Sequence, residues 1–446
     1  MLGKLADPNQ RDLFRPHLTD FIDMNNELVL LANKIDWHSM ESELSCFYSE
    51  VGQPSVPIRQ IAGCLILKQI YNYGDESLPK IWVMNPYMQY FCGEAHFQHT
   101  FPFDPTDFVH FRHRIGEEGA NIIFRHSVQM HGKCSGEKVV LSDTTVQGNN
   151  TTFPTDAKLC KKIIDDCVKI AFRQNLPIRQ SYKRVSKQLL RDTYNGTHPK
   201  RKKKATSSRR KLKTIAGRLL REIDRLLPSS ERMLYDDDLK LYARVLSQQK
   251  DDKNKIYSLH KPYTDCIAKG KPHKPYEFGN KVGFLITSKS LIITAIRTYL
   301  GNPHDGRTIE PLVDQLERNS FANPKEIVYD RAARGVGQVK GVTVSVPSNP
   351  LKRDTPYQKR NKREKFRRRA AIEPVNAHLK TDFRMAENYL LGERYVQMNA
   401  LLSAAAWNMK KWMERAVSWL HTKWSEMARF ILTIVYTPGK LNFVAI

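Results

Sequence analysis

Val139-Val-Leu-Ser-Asp-Thr-Thr-Val146 is the stretch where the texture of the chain changes. Upstream, residues 12–130 carry apolar side chains at helical spacing: Leu28, Leu31 and Ile35, then Ile58, Ile61, Leu65 and Ile66 after the turn signal Gln53-Pro-Ser-Val-Pro57. Between 139 and 146 β-branched residues crowd together, which predicts a buried strand with a polar break at Asp143. Burying an unpaired ionised acid in such a strand is costly. Asp143 must therefore be paired, protonated or bound to a metal.

Outward from this strand, residues 156–250 return to helical patterning with heavy basic charge. Between Lys158 and Arg225 there are 22 Lys and Arg against 5 Asp and Glu, including the block Lys200-Arg-Lys-Lys-Lys204. Strand signals resume at 276–287 and 291–298 around the turn-like Ser288-Lys-Ser290, which predicts a hairpin. A Gly/Pro/Asp-rich loop at 301–307 and a helical run at 308–319 follow. Glu326-Ile-Val-Tyr-Asp330 reads as a strand ending on a carboxylate, and Gly341-Val-Thr-Val-Ser-Val346 as another. Helices at about 394–421 close the chain. The expected fold class is α/β, with an all-α N-terminal domain (1–132), a core in two parts (133–155 and 255–400), a basic helical insertion (156–254) and a closing helical segment (401–446).

The formal charge of +26 and pI near 9.7 point to a polyanionic partner. The excess is uneven, because residues 1–130 hold 10 Lys and Arg against 16 Asp and Glu. Blocks of cations such as that at 200–204, with Lys202 and Lys203, are solvated faces or phosphate-binding arms. Seven cysteines without a C-x-x-C pair indicate neither a disulfide framework nor a zinc ribbon. Residues 430–436 form the longest apolar run, too short to span a bilayer, and the N-terminus has no apolar signal core, so a cytoplasmic, nucleoid-associated location is expected.

Three carboxylates stand where strand or helix patterns meet loops: Asp143, Asp330 in VYDRAARG, and Glu373 in Phe366-Arg-Arg-Arg-Ala-Ala-Ile-Glu-Pro-Val-Asn-Ala-His-Leu-Lys380. Glu373 is a lone acid hemmed in by cations. On a continuous helix Arg369, Glu373 and Lys380 share one face, while Ile372, Val375, Leu379 and Phe383 take another and pack on the sheet. Pro374 disturbs that helix, so a kink or a fresh helix start is expected there.

With Asp143-Thr-Thr-Val-Gln, Phe153-Pro-Thr-Asp156, Tyr276-Glu-Phe-Gly-Asn-Lys281, Asp330-Arg and Arg334-Gly335, the chain resembles the DDE transposases of bacterial insertion sequences that have an InsH-type helical N-terminal domain and a ribonuclease H-like catalytic core. That family's signature runs Tyr, two residues, Arg, three residues, Glu, six residues, Lys. Phe366, Arg369, Glu373 and Lys380 fall at those spacings, with Phe in place of Tyr.

The resemblance implies a catalytic and metal-binding triad of Asp143, Asp330 and Glu373. It also implies two Mg²⁺ ions, replaceable by Mn²⁺, double-stranded DNA as substrate, and a homodimer to hold two element ends. Arg369, Lys380, Arg331, Arg334, Lys202 and Lys203 are then candidate phosphate contacts. A retired transposase that only binds DNA, and a nuclease of the same fold that never joins ends, are the alternatives.

Other groups invite competing readings. Residues 104–116, with Asp104 and Pro105 opening a helix and Phe108, Phe111 and Ile115 beside Arg112 and Arg114, form either a DNA-reading helix or a packing helix. His110 and His113 read as a surface pair rather than metal ligands. His260 and His273, beside Lys269, Lys271 and Lys274, are candidates for phosphate contact. Glu277 is expected to pair structurally with Lys281.

Overall fold

The computed structural model describes residues 1–5, 14–249, 251–271, 274–330, 335–346 and 349–436. Among these, helices come first: α1 (Glu27–Lys34), α2 (Trp37–Ser45), α3 (Ile58–Ile70), α4 (Ser77–Trp82), α5 (Pro86–Phe91) and α6 (Asp107–Gln129). α3 is apolar around most of its circumference and is buried along nearly its whole length, so the other helices wrap it. The turn before α6 is held by Asp104, whose carboxylate accepts from the Thr106 amide at 2.9 Å and hydroxyl at 2.7 Å. Thr106, not Asp104, is the N-cap. A left-handed Gly116 (φ 56°) kinks α6 and keeps its apolar stripe on the core beyond Ile115, through Ala120, Ile123, Phe124 and Val128.

The chain then enters β1 (Val139–Gly148), the hub of a mixed sheet. β3 (Lys274–Thr287) pairs with it antiparallel on one side and β5 (Glu326–Val328) parallel on the other. Beyond β3 lie β2 (Asp265–Lys271) and β4 (Ile293–Tyr299), each antiparallel to it. Beyond β5 come β7 (Val342–Ser345), parallel, and β6 (Gln338–Val339), antiparallel to β7. The expected hairpin is β3–β4.

Alternation along β1 separates the two faces. Val140 joins Leu285 under α11 (Ile309–Arg318), which contributes Ile309, Leu312, Val313 and Leu316. Leu141 joins Phe284 and Ile286 under α13 (Ile372–Thr381) and α14 (Arg394–Tyr436).

That second core does not stop at the sheet. It runs through α14 into α1–α6, so the helical N-terminal region and the α/β region share one apolar interior. α14 passes residue 400 unbroken, and the expected division between core and closing helices has no counterpart in the backbone. The insertion does have its own interior. α7 (Asp156–Arg173), α8 (Lys183–Asp192), α9 (Pro199–Leu226) and α10 (Ser229–Ser247) enclose Ile163, Ile164, Cys167, Leu212, Leu219, Ile223 and Tyr242 in a separate cluster.

Candidate active site

β1 and β5 run parallel and in step, with Val139 opposite Glu326 and Leu141 opposite Val328. Two residues beyond this pairing stand Asp143, still in β1, and Asp330, just past the end of β5, near enough that the Asp330 charge raises the Asp143 carboxyl. β1 is buried from Val140 to Ser142 and from Thr145 to Gln147, and half open at Asp143 and Thr144. The acidic pair therefore lies at a gap in the cover of the sheet, on the face carrying α13.

The electrostatics of the gap are set first by burial and then by the charges around it. Burial pushes the Asp143 carboxyl up to about 6. The Thr144 amide, donating at 2.8 Å, and the Arg369 guanidinium oppose the rise, while the charges of Asp330 and Asp305 add to it. Arg369 Nη2 lies 3.6 Å from Asp330 Oδ2. Arg369, expected as a phosphate contact, comes from the last turn of α12 (Pro356–Ala370) and faces the acidic pair.

Asp305 was missed in the sequence. It opens a short 3-10 turn after β4, and on the opposite face of β1 it accepts from Thr144 Oγ1 at 3.1 Å and from Lys281 Nζ at 2.7 Å. Its only signal was an acid in a Gly/Pro-rich loop between a strand and a helix, and no spacing set it apart. The expected pairing of Lys281 with Glu277 is also corrected. Four residues apart are neighbours on a helix, but about 13 Å apart along a strand. In β3, Lys281 holds Asp305 and the Pro303 carbonyl, and Glu277 faces Lys269 at 3.7 Å.

At Glu373 the helix restarts. α12 ends at Ala370, Ala371 caps both helices, and α13 begins at Ile372 with Glu373 in its first turn and Pro374 one residue later. A proline is tolerated there because the first-turn amides have no intrahelical acceptor. The break also means that Arg369 and Glu373 do not share one continuous helical face. Ile372, Val375, Leu379 and Phe383 pack in the core that holds Leu141 and Val328, as expected, and this seats α13 on the face of the acidic pair. Glu373 itself is exposed, and Lys380 is partly buried.

The remaining candidates are dispersed. Lys202 and Lys203 lie exposed on α9. Arg331, Arg334 and His273 fall outside the described residues. His260 Nδ1 lies 2.9 Å from Ser258 Oγ. Of residues 104–116, Arg112 is not available to DNA, being buried and bound bidentately by Asp75 at 3.0 and 2.8 Å; Arg114 is exposed and lies over the Tyr48 ring.

Asp143, Asp330 and Glu373 offer hard carboxylate oxygens, the donor type that Mg²⁺ or Mn²⁺ takes. Burial raises the Asp143 carboxyl by disfavouring its ionised form, a cost that a bound cation would offset. In this conformation, among the described residues, no three His, Cys, Asp or Glu side chains converge as a ready metal cage. The donors fit in kind, and two of the three are brought together.

Comparison with known proteins bears on both ends of the chain. A model for a transposase domain (DUF772) matches residues 16–114, and one for a transposase DDE domain matches residues 248–409. A protein of Rhizobium meliloti, described as an uncharacterized protein ORF8 in the nfe locus, is 36% identical over 183 residues, which is 40% of this chain and 88% of that protein. No solved structure matches. The DDE match contains Asp330 and Glu373 and excludes Asp143, which β1 delivers from beyond the insertion by pairing with two strands inside the match.

Proposed function

The chain belongs to the DDE transposases of insertion sequences, whose DDE domain carries a ribonuclease H-like core, and from that premise we propose that it cleaves DNA at the ends of its element and joins the freed 3′-hydroxyl to target DNA. The observation that supports this most is the parallel register of β1 and β5, which leads the chain to Asp143 on one strand and to Asp330 just past the other, close enough for their charges to interact. Two Mg²⁺ ions held by Asp143, Asp330 and Glu373 would supply activation of the attacking oxygen and stabilisation of the leaving oxygen.

The residues of the chain do the rest. Asp143 is fixed by its strand and by the Thr144 amide, so its carboxylate is presented without reorganisation. Arg369 offsets the acidic pair in the resting protein. Lys380, with Arg331 and Arg334 next to Asp330 in sequence, would hold phosphates flanking the scissile bond, and Lys202 and Lys203 would hold duplex farther off. Two copies of the chain would hold two element ends. Among the described residues no helix is long and apolar enough to cross a membrane. A DNA substrate is the ground on which we place the protein with the nucleoid in the cytoplasm.

The test is cleavage and joining of DNA carrying the element's terminal repeats, with Mg²⁺ and the full chain. Asp143→Asn, Asp330→Asn and Glu373→Gln should each lower cleavage at least about 100-fold, the scale on which active-site electrostatics acts. Undiminished cleavage by any one of them removes that residue from the site. Cleavage without joined products reduces the activity to that of a nuclease.

A further inference from the structure

The structure leaves a question that the active site does not answer: which surface reads DNA sequence. From Lys200 to Arg221, α9 carries eleven Lys and Arg and no Asp or Glu. Its inner face, Ala205, Ser208, Leu212, Ala216, Leu219 and Ile223, is buried, the last four in the insertion's own core. Burial of that face rules out a membrane-surface helix, which needs its apolar side for lipid.

The outward face is ordered in rows. At 100° per residue, Lys203, Arg210, Thr214, Gly217 and Arg221 run down the middle, opposite the buried stripe. Lys202, Arg209 and Lys213 line one side, and Lys200, Lys211 and Arg218 the other. All of these cations are exposed. The middle row thus sets Thr214 and Gly217 between Arg210 and Arg221, with a cationic rail on either side. Gly217 lowers the stability of a helix interior by about 1 kcal/mol relative to alanine, and nothing inside the chain requires it: an added Cβ there would meet only the tip of Arg221, at 3.4 Å. A helix thinned along its outer face is suited to close approach by a ligand.

Those dimensions fit the major groove of duplex DNA. An α-helix with side chains is about 10–12 Å across and the groove about 12 Å wide, with a phosphate backbone along each wall. Arg210 and Arg221 are eleven residues apart, about 16 Å along the axis and so about five base-pair steps.

We propose that α9 of the insertion is the sequence-reading helix, seated in the major groove with Arg210 and Arg221 toward guanine edges and its two flanking rows on the phosphates of opposite strands. The inference rests on duplex DNA being the substrate. It moves base reading away from the N-terminal helices, where Arg112 is committed to Asp75.

The experiment uses the full chain in EDTA, to suppress cleavage, and a random duplex library to select a preferred site. Dissociation constants are then measured for that site and for a scrambled duplex over a range of salt. For Arg210→Lys and Arg221→Lys, which keep charge but lose bidentate geometry, the preference ratio should fall roughly 5- to 150-fold with the salt slope unchanged. For Lys202→Ala with Lys213→Ala, the ratio should hold while the slope drops by about two. A ratio unchanged in both arginine variants overturns the proposal, as does a wild-type protein that binds duplex with no sequence preference. A wild-type protein that binds no duplex at all overturns the DNA-substrate reading beneath it.

Discussion

At the scale of single residues, burial decides which charges are available for function and which are structural. His131 lies at the junction between α6 and β1, where its Nε2–H donates to the Asn408 carbonyl at 3.0 Å and Arg415 Nη1 approaches Nδ1 at 3.5 Å. A cation donating to Nδ1 requires a lone pair there, so the ring is neutral. Burial accordingly pulls its pKa down to about 4, with Arg415 and Lys34 adding to the effect against the Asn408 hydrogen bond. Between about pH 6.5 and 4 the unfolded chain binds the proton and the folded one does not, so stability is lost as pH falls through that window. For a shift of this size the full loss is on the order of 3 kcal/mol. His131→Gln keeps a donor for Asn408 without the titration, and urea midpoints at pH 7 and pH 5 should converge in the variant and diverge in the wild type. An equal acid loss in both proteins would show that His131 does not carry it. Asp143 and Arg369 obey the same logic. That Asp143 needs a partner was legible in a β-branched run interrupted by an acid. That Arg369 faces Asp330 was not, because the pairing depends on where α12 ends.

At the scale of elements, β4 shows how an exposed sheet edge is closed. It pairs with β3 on one side, and on the other its backbone is met by side-chain amides. Asn408 takes both the amide and the carbonyl of Ile293 at 2.9 Å, Gln397 takes the Thr298 amide at 2.6 Å and the Ile296 carbonyl at 2.9 Å, and Gln315 takes the Ile296 amide at 2.8 Å. An uncovered edge of this kind invites pairing with another chain. Asn408→Ala would strand two buried backbone groups, at about 1–3 kcal/mol each, and should lower the urea midpoint and speed amide exchange at Ile293. Unchanged exchange there would mean that the edge is held by other contacts. Much was readable from periodicity: the helical character of the N-terminal region and of the insertion, the β3–β4 hairpin and the strand ending near Asp330. β2 and β6 were not. Asp265-Cys-Ile-Ala-Lys-Gly-Lys271 has little strand character of its own and forms because the long β3 offers it an edge, and β6 is two residues long.

At the scale of the whole molecule, the distribution of apolar cores sets what behaves as a unit. The N-terminal helices and one face of the sheet share an interior through α14, while the insertion closes its own. Leu219→Ala, in the insertion, should cost about 2–5 kcal/mol and raise hydrogen exchange across α7–α10 with little change in the sheet. Leu401→Ala, in the shared core, should raise exchange in the N-terminal helices and the sheet together. If Leu219→Ala loosened the sheet equally, the insertion would not be a separate cooperative unit. The sequence by itself determined the local matters: which segments are helix or strand, where charge accumulates, and that Asp143, Asp330 and Glu373 are unusual acids, because periodicity, propensity and burial cost act over a few residues. The tertiary structure alone decided that Asp143 and Asp330 become neighbours across 187 residues of sequence, that Arg369 answers them, and that Arg112 is spent inside the fold. Those outcomes depend on strand register, on the break at Ala371 and on shared burial, and none of these is a property of a local stretch of chain.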